Sequence, residues 1–398
     1  MAHRETFDVC VVGAGLNGAA AALGFARSGF STLSTGAYER PGRGRTVALF
    51  GRSLEFLRQL GVCDETLARG AALRGLRIID ATGSLFAPRP VEFHAREIGL
   101  EAFGWNVENN DLADIFARAI ETENGVTRAP ARIARFALGR ERGELVDETG
   151  QNFAGRLIVG ADGRNSPSRK AAGIATRAHT YGQTALTLTL RHTRSHDDYS
   201  TEFHTREGPF TLVPLAPTAD APDRSSLVWV MSDASAERRT ALGDEALSRE
   251  VETLSRGLLG SLTIEGERGA FPMMRQRATR LTGTRFALVG DAAHVYPPIG
   301  AQGLNLGLRD VADLIAAAKC AREIGADIGG RDALSDYTRA RTPDIVERMI
   351  AVNGLNMSLL ANLGPVDALR GLGLSALSAF GPLRRFVMRE GLSPQWAP

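Results

Sequence analysis

Six residues near the N-terminus have the types and spacing of a phosphate cradle: Gly13-Ala14-Gly15-Leu16-Asn17-Gly18. Gly13 permits a tight turn, Gly15 leaves the backbone bare for a pyrophosphate, and Gly18 lets a helix pack close to a strand. The helix N-terminus then offers free N–H groups and the positive end of its dipole to the phosphates. Glycines at this spacing carry little weight alone. Here they follow the apolar run 7–12 and precede the alanine-rich stretch 19–28, so they join a strand to a helix. Such a site expects an acidic ribose ligand at the end of the second strand, predicted at 31–35. That position falls near Gly36. Glu39 follows, either as a substitute contact or as a solvated loop charge.

Two further constellations follow strands. After the strand at 156–160 comes Gly160-Ala161-Asp162-Gly163-Arg164-Asn165-Ser166, where Asp162 either bonds local backbone in a turn or faces a ligand. After the strand at 286–289 come Gly290-Asp291-Ala292-Ala293-His294, then Pro297-Pro298-Ile299-Gly300-Ala301-Gln302-Gly303-Leu304-Asn305. An aspartate at a strand end can accept hydrogen bonds from sugar-like hydroxyls such as a ribityl chain. A helix beginning near Gln302 would place its positive end where a flavin ring gains negative charge on reduction. His294 reads as a base or as a structural loop histidine.

The elements that position these residues alternate at first. Helices are expected at 53–61, with Leu54, Leu57 and Leu60 on one face, and at 111–120, with Asp111 as N-cap. From 175 to 270 the texture changes to strands: 183–190 alternates Thr and Leu, with 210–215 and 227–231 beyond. This block predicts an antiparallel sheet inserted into an α/β domain. The tail after 333 is helical with Gly and Pro interruptions.

The bulk properties narrow the function. A chain of 398 residues predicts two lobes. A net charge of +2 gives no basic field for nucleic acid. Cys10, Cys63 and Cys320 are odd in number and far apart, which excludes a disulfide framework and a cysteine metal site, and favours a cytoplasmic setting. No stretch is long enough to span a bilayer, and the N-terminus has no secretory signal. Residues 371–383 are small and apolar and lead into Arg384, Arg385 and Phe386. They either rest on the inner face of an anionic membrane or pack on the body or a second subunit.

With all three motifs in order, the chain resembles the single-component FAD-dependent aromatic hydroxylases of the para-hydroxybenzoate hydroxylase fold. Within them it is most similar to the ubiquinone-biosynthesis hydroxylases, the 2-octaprenylphenol hydroxylases. Residues 44–49, Ser53, Leu57, Leu60-Gly61, residues 299–310, Tyr337 and Arg341 carry the likeness further. The implied fold class is α/β: a Rossmann-like FAD-binding domain with an inserted antiparallel β-sheet substrate domain and a helical C-terminal tail. The FAD part is expected at 1–75, 105–175 and 271–335. The substrate part is expected at 76–104 and 176–270, and the helical region at 336–398.

The resemblance implies that Gly13, Ala14, Gly15, Leu16, Asn17 and Gly18 hold the pyrophosphate. It also implies that Arg45, Asn109 and Asp162 meet the cofactor, that Asp291 binds the ribityl chain, and that Pro298, Gly300, Ala301, Gln302, Gly303, Leu304 and Asn305 line the ring. His294, Tyr296 and Pro298 are the candidates for a catalytic role beside flavin-borne chemistry. The implied reaction uses FAD, NAD(P)H as transient reductant and O2, acting on a lipophilic polyprenyl-phenol. A membrane surface and other quinone-synthesis proteins are the implied partners. A single glycine motif leaves nicotinamide without a domain of its own. The alternatives are a hydroxylase of a soluble aromatic compound and a non-catalytic flavin-binding scaffold subunit. The isolated Trp105, Trp229 and Trp396 argue against a flavin halogenase.

Overall fold

A computed structural model describes residues 4–38, 40, 42, 44–83, 89–297, 302–360 and 380–392. Among these, strands form three sheets.

The first sheet is centred on β1 (Arg4–Val12), flanked by β2 (Thr32–Thr35) and β11 (Asn152–Gly160). Beyond them lie β8 (Val126–Ala129) on one side and β18 (Phe286–Leu288) with β17 (Thr282–Gly283) on the other. The pairs β1–β2, β2–β8, β1–β11 and β11–β18 are parallel, which aligns the ends Val12, Thr35, Gly160 and Leu288 along one edge. Ligands bind at this edge in open α/β sheets, because loops and helix N-termini gather there. An antiparallel hairpin, β9 (Ile133–Leu138) and β10 (Gly143–Asp147), extends from β11. The central strands are buried on both faces, which explains their continuous apolar runs.

Helix α1 (Leu16–Arg27) is alanine-rich because it is packed all round: Ala20, Ala21, Ala22 and Leu23 are wholly buried. Helices α2 (Gly51–Gln59), α3 (Cys63–Ala68) and α4 (Asn109–Glu121) follow the amphipathic pattern. Asp111 is not the N-cap of α4. The helix starts two residues earlier, with Glu108 at the cap position, and Asp111 lies in the first turn, where its charge suits the dipole.

The second sheet contains β5 (Gly75–Asp80), β6 (Val91–His94), β12 (Thr176–His192), β13 (Tyr199–His204), β14 (Pro209–Leu215), β15 (Arg224–Ser232), β16 (Leu262–Ala278) and β19 (His294–Val295). It is not wholly antiparallel, since β13 pairs with β5 in parallel. It also continues to Ala278 in β16 and takes in the short β19. One face buries Leu186, Leu188, Phe210, Leu227 and Trp229 against α6 (Asp233–Thr240) and α7 (Asp244–Leu254). A small third sheet of β3 (Thr46–Phe50), β4 (Ala71–Ala72) and β7 (Gly104–Glu108) lies against β14. Its strands are too short for the sequence to announce.

Ser166 caps the short α5 (Pro167–Ala171), with proline at the first helical position. Helix α8 (Gln302–Glu323) runs from the expected start. Helix α9 (Arg331–Leu360) passes through Pro343 without a break, contrary to the expected interruption. Buried ion pairs of Arg341 and Asp344 anchor that turn. Helix α10 (Gly381–Leu392) closes the described chain.

Candidate flavin site

The three motifs meet at the C-terminal edge of the first sheet. Gly13 has φ +112°, a conformation side chains rarely adopt, and a Cβ there would lie 2.8 Å from Asp162 Cα. A Cβ on Gly18 would overlap the Gly13 carbonyl. These glycines hold α1 against β1 and against the second motif. Gly15 differs: a Cβ there would meet nothing within 4 Å. The bare backbone at Gly15 borders open space, and the first turn of α1 has no side-chain cap to occupy its N–H groups.

Beside it lies a cavity of about 230 Å³, walled by Ala14, Gly15, Gly36 and Tyr38. The polar groups around the Gly36 position are Ser34, Tyr38 and the Arg128–Glu121 ion pair at 3.5 Å. Glu39 lies outside the described residues, as do Pro298, Gly300 and Ala301.

Asp291 sits where β18 ends. Its side chain is open to solvent-sized space, yet protein surrounds it on nearly every side, so it lies at the bottom of a cleft. Desolvation raises its pKa, and the charges of His294, Arg45 and Arg164 pull the other way. Arg45 is exposed and stacks on Phe271 of the second sheet at 4.0 Å. The Arg45 carbonyl accepts from Asn109 N at 2.9 Å, and Asn109 Oδ1 is buried without a hydrogen-bond partner among the described residues. An open pyrophosphate cradle, a desolvated carboxylate in a cleft and an unmet amide oxygen fit a bound FAD.

Several candidates also serve as struts. Asp162 accepts from Ser168 N and Ser168 Oγ, each at 2.8 Å, and from Ser166 Oγ, so its carboxylate caps α5. His294 is buried, with Nε2 2.6 Å from Asp310 Oδ2 and Nδ1 without a hydrogen-bond partner among the described residues. The Tyr296 hydroxyl donates to the Ile345 carbonyl at 2.9 Å, and burial pushes its pKa up, so it too is structural. Asn305 donates to the Ala48 carbonyl at 2.7 Å and accepts from Phe50 N at 3.1 Å, tying the first turn of α8 to β3. Asn17 is wedged where a Cβ on Gly290 or Gly307 would overlap it. Gln302, Gly303 and Leu304 form the start of α8.

Two supports had no local signal. Arg169 donates to the carbonyls of Ala292 (2.7 Å) and Arg164 (2.9 Å), joining the second motif to the third. Asp310 accepts from Gly290 N at 2.9 Å, from His294, and from Arg341 Nε at 2.7 Å. Arg341 also donates to Asp344 (2.7 Å) and Asp313 (3.1 Å). Helix α9 is thereby fixed to the backbone beside Asp291.

Comparison with known proteins places this geometry. The family model described as FAD binding domain matches residues 6–351. Ubiquinone hydroxylase UbiL of Rhodospirillum rubrum is 33% identical over 397 residues, covering 97% of this chain and 89% of its own. The chain belongs to the FAD-dependent ubiquinone-biosynthesis hydroxylases. The 3-demethoxyubiquinol 3-hydroxylase of Escherichia coli is 31% identical to this hydroxylase, covering 98% of the chain and 100% of its own. The fold is shared with p-nitrophenol 4-monooxygenase PnpA of Pseudomonas putida, with a TM-score of 0.79 at 16% identity over 98% of this chain and 99% of that one. The hydroxylase is thus an FAD-dependent monooxygenase acting in ubiquinone biosynthesis. Among its described residues no His, Cys, Asp and Glu cluster suits a metal ion.

Proposed function

We propose that this hydroxylase adds one oxygen atom to the aromatic ring of a polyprenyl-phenol, using O2 and electrons from NAD(P)H. The observation that carries the reading is similarity along 97% and 98% of this chain to a ubiquinone hydroxylase and a 3-demethoxyubiquinol 3-hydroxylase. FAD, when bound, supplies the redox chemistry by accepting hydride and activating oxygen. In this reading the α1 N-terminus and Gly15 bind the pyrophosphate, Asp291 accepts from the ribityl hydroxyls, and Arg45 with Arg164 supplies positive charge. The second sheet floors the ring space and excludes water. The flavin part comprises 1–74, 105–175 and 279–335, and the substrate part 75–104 and 176–278, because β5 begins at Gly75 and β16 continues to Ala278.

The test is NAD(P)H oxidation by the purified holoenzyme with a polyprenyl-phenol in detergent, with mass spectrometry of the product. Stimulated oxidation and a product heavier by one oxygen are expected. Unstimulated oxidation with unmodified phenol contradicts the reading.

The lipophilic substrate also gives a role to α10. Phe380 (62% exposed), Leu383, Phe386 (60%) and Val387 are open to solvent, while Met388 packs on Val91 and Phe93. Arg385 and Arg389 are exposed beside them, and Arg384 is held by Glu97 at 2.7 Å. No helix among the described residues is long and apolar enough to cross a membrane. We assign this face to the surface of an anionic bilayer, on which the apolar residues insert and the arginines meet headgroups. Two arginines at roughly 1 kcal/mol each predict binding about 30-fold tighter to anionic than to neutral vesicles. Phe386→Glu should abolish co-sedimentation, and equal binding of the variant would refute the assignment.

A further inference from the structure

The second sheet presents the reaction with a proton acceptor that none of the motifs contains. Side chains alternate across a strand, and burial of Phe203, Leu212, Leu227, Trp229 and Leu188 fixes which set faces α6 and α7. The opposite set faces the flavin half. On that face Val213, Ser226 and Thr189 form one cross-strand row. There the sheet is clamped: Ser226 Oγ is 3.0 Å from Thr46 Oγ1, and Asn106 Nδ2 donates to the Pro214 carbonyl at 2.8 Å. The next row is Glu202, Thr211, Val228 and Thr187. Beyond it come Val230, Ala185 and Phe271, on which Arg45 stacks. Arg45 thus meets this floor at its β16 end, and the rows run from there across β12, β15 and β14 to β13.

Glu202 and His204, two residues apart on β13, both stand on this face. His204 Nε2 lies 2.9 Å from Glu202 Oε1. An ionised carboxylate only accepts, so Nε2 carries the hydrogen and Nδ1 is a bare lone pair. That Nδ1 is buried, in a residue 5% exposed, with no hydrogen-bond partner among the described residues. Thr187 Oγ1, in the Glu202 row, is likewise buried and unpartnered. Buried polar atoms are rarely left unmet without a functional reason. The rest of this floor is apolar across β15, β12 and β16, from Val228, Val230, Ala185 and Met273, while Thr211 beside Glu202 donates to its Oε2 at 3.4 Å.

An apolar floor with an unmet acceptor matches an aromatic ring bearing one hydroxyl. We propose that His204 Nδ1 accepts the proton of the substrate's ring hydroxyl, with Glu202 as its positioning residue. This rests on the phenol reading above. The O–H bond breaks, its electron pair stays on oxygen as phenolate, the proton joins Nδ1, and Glu202 balances the imidazolium. The phenolate feeds electron density to the ring carbons ortho and para to it, which favours their attack on an electrophilic oxygen. The proton returns to the ring oxygen before the product leaves.

The probes are 2-prenylphenol and its methyl ether, added to the FAD-loaded full chain. Binding is read from the absorbance of oxidised flavin and turnover from NAD(P)H oxidation. Wild type should bind the phenol about 10-fold tighter than the ether, the worth of one good hydrogen bond. His204→Ala should bring that ratio to one without weakening the ether, and turnover should fall at least about 100-fold. Should that variant not fold, His204→Gln keeps an acceptor of similar reach but cannot take the proton. It should keep the binding ratio and lose turnover. Glu202→Gln should lower kcat far more than it raises KM. A His204 variant with wild-type ratio and turnover overturns the proposal and leaves the phenol reading standing. If neither probe perturbs the wild-type flavin, both readings fail.

Discussion

Arg341→Leu should lower unfolding stability by about 3–5 kcal/mol, the cost of removing one partner from a buried charge pair. Arg341 and Asp310 are wholly buried, and Arg341 spans Asp310, Asp313 and Asp344. Its loss strands Asp310, whose oxygens also hold Gly290 N and His294. Because a domain's whole stability is about 5–15 kcal/mol, the urea midpoint should move far. Burial raises the Asp310 pKa, but His294 and Arg341 outweigh it and leave it below its ordinary value. A depressed carboxylate stabilises the fold above its unfolded pKa of about 3.9 and loses that contribution as pH falls through the folded value. The variant's acid unfolding should therefore begin at higher pH. A midpoint shift worth less than about 1 kcal/mol would mean that the network contributes no more than surface pairs do. The Arg341→Leu and Asp310→Asn costs should be strongly non-additive, because the two groups share one interaction.

Asp291→Ala should have the opposite signature, with FAD binding weakened and the fold kept. A charge-assisted hydrogen bond is worth about 1.5–3 kcal/mol, so FAD affinity should fall roughly 10- to 150-fold. The Asp291 carboxyl is desolvated and its pKa is raised in the folded chain. A raised carboxyl binds its proton more tightly folded than unfolded, so stability declines as pH rises through that window. Alanine removes the slope. The flavin-free variant should thus be at least as stable at neutral pH as flavin-free wild type, by urea titration. Reconstitution with FAD, followed by flavin fluorescence, checks the affinity. Unchanged affinity would remove Asp291 from the site.

The contrast between these residues shows what the sequence could disclose. The cradle at Gly13–Gly18 was legible because each glycine answers a local need: a positive φ, an open approach, a close helix contact. Asp291 was legible because it follows a strand end directly. Asp162 and His294 also stood out, but the sequence did not place their partners. Ser166 and Ser168 occupy the first, and Asp310, sixteen positions on, occupies the second. Ser166 and Pro167 carry the local signal of a helix start, and α5 gives Asp162 its partners. Arg341 and Arg169 act through contacts distant in sequence, which no local pattern reveals. The same holds for the parallel pairing of β13 with β5, which places Glu202 and His204 within the floor rather than at its edge.

The central claim, hydroxylation of a quinone precursor, is met most directly by lipid mass spectrometry on cells lacking this protein. Accumulation of a prenylated precursor short of one ring oxygen is expected, and its identity names the carbon. An unchanged quinone pool with no accumulated precursor would contradict it.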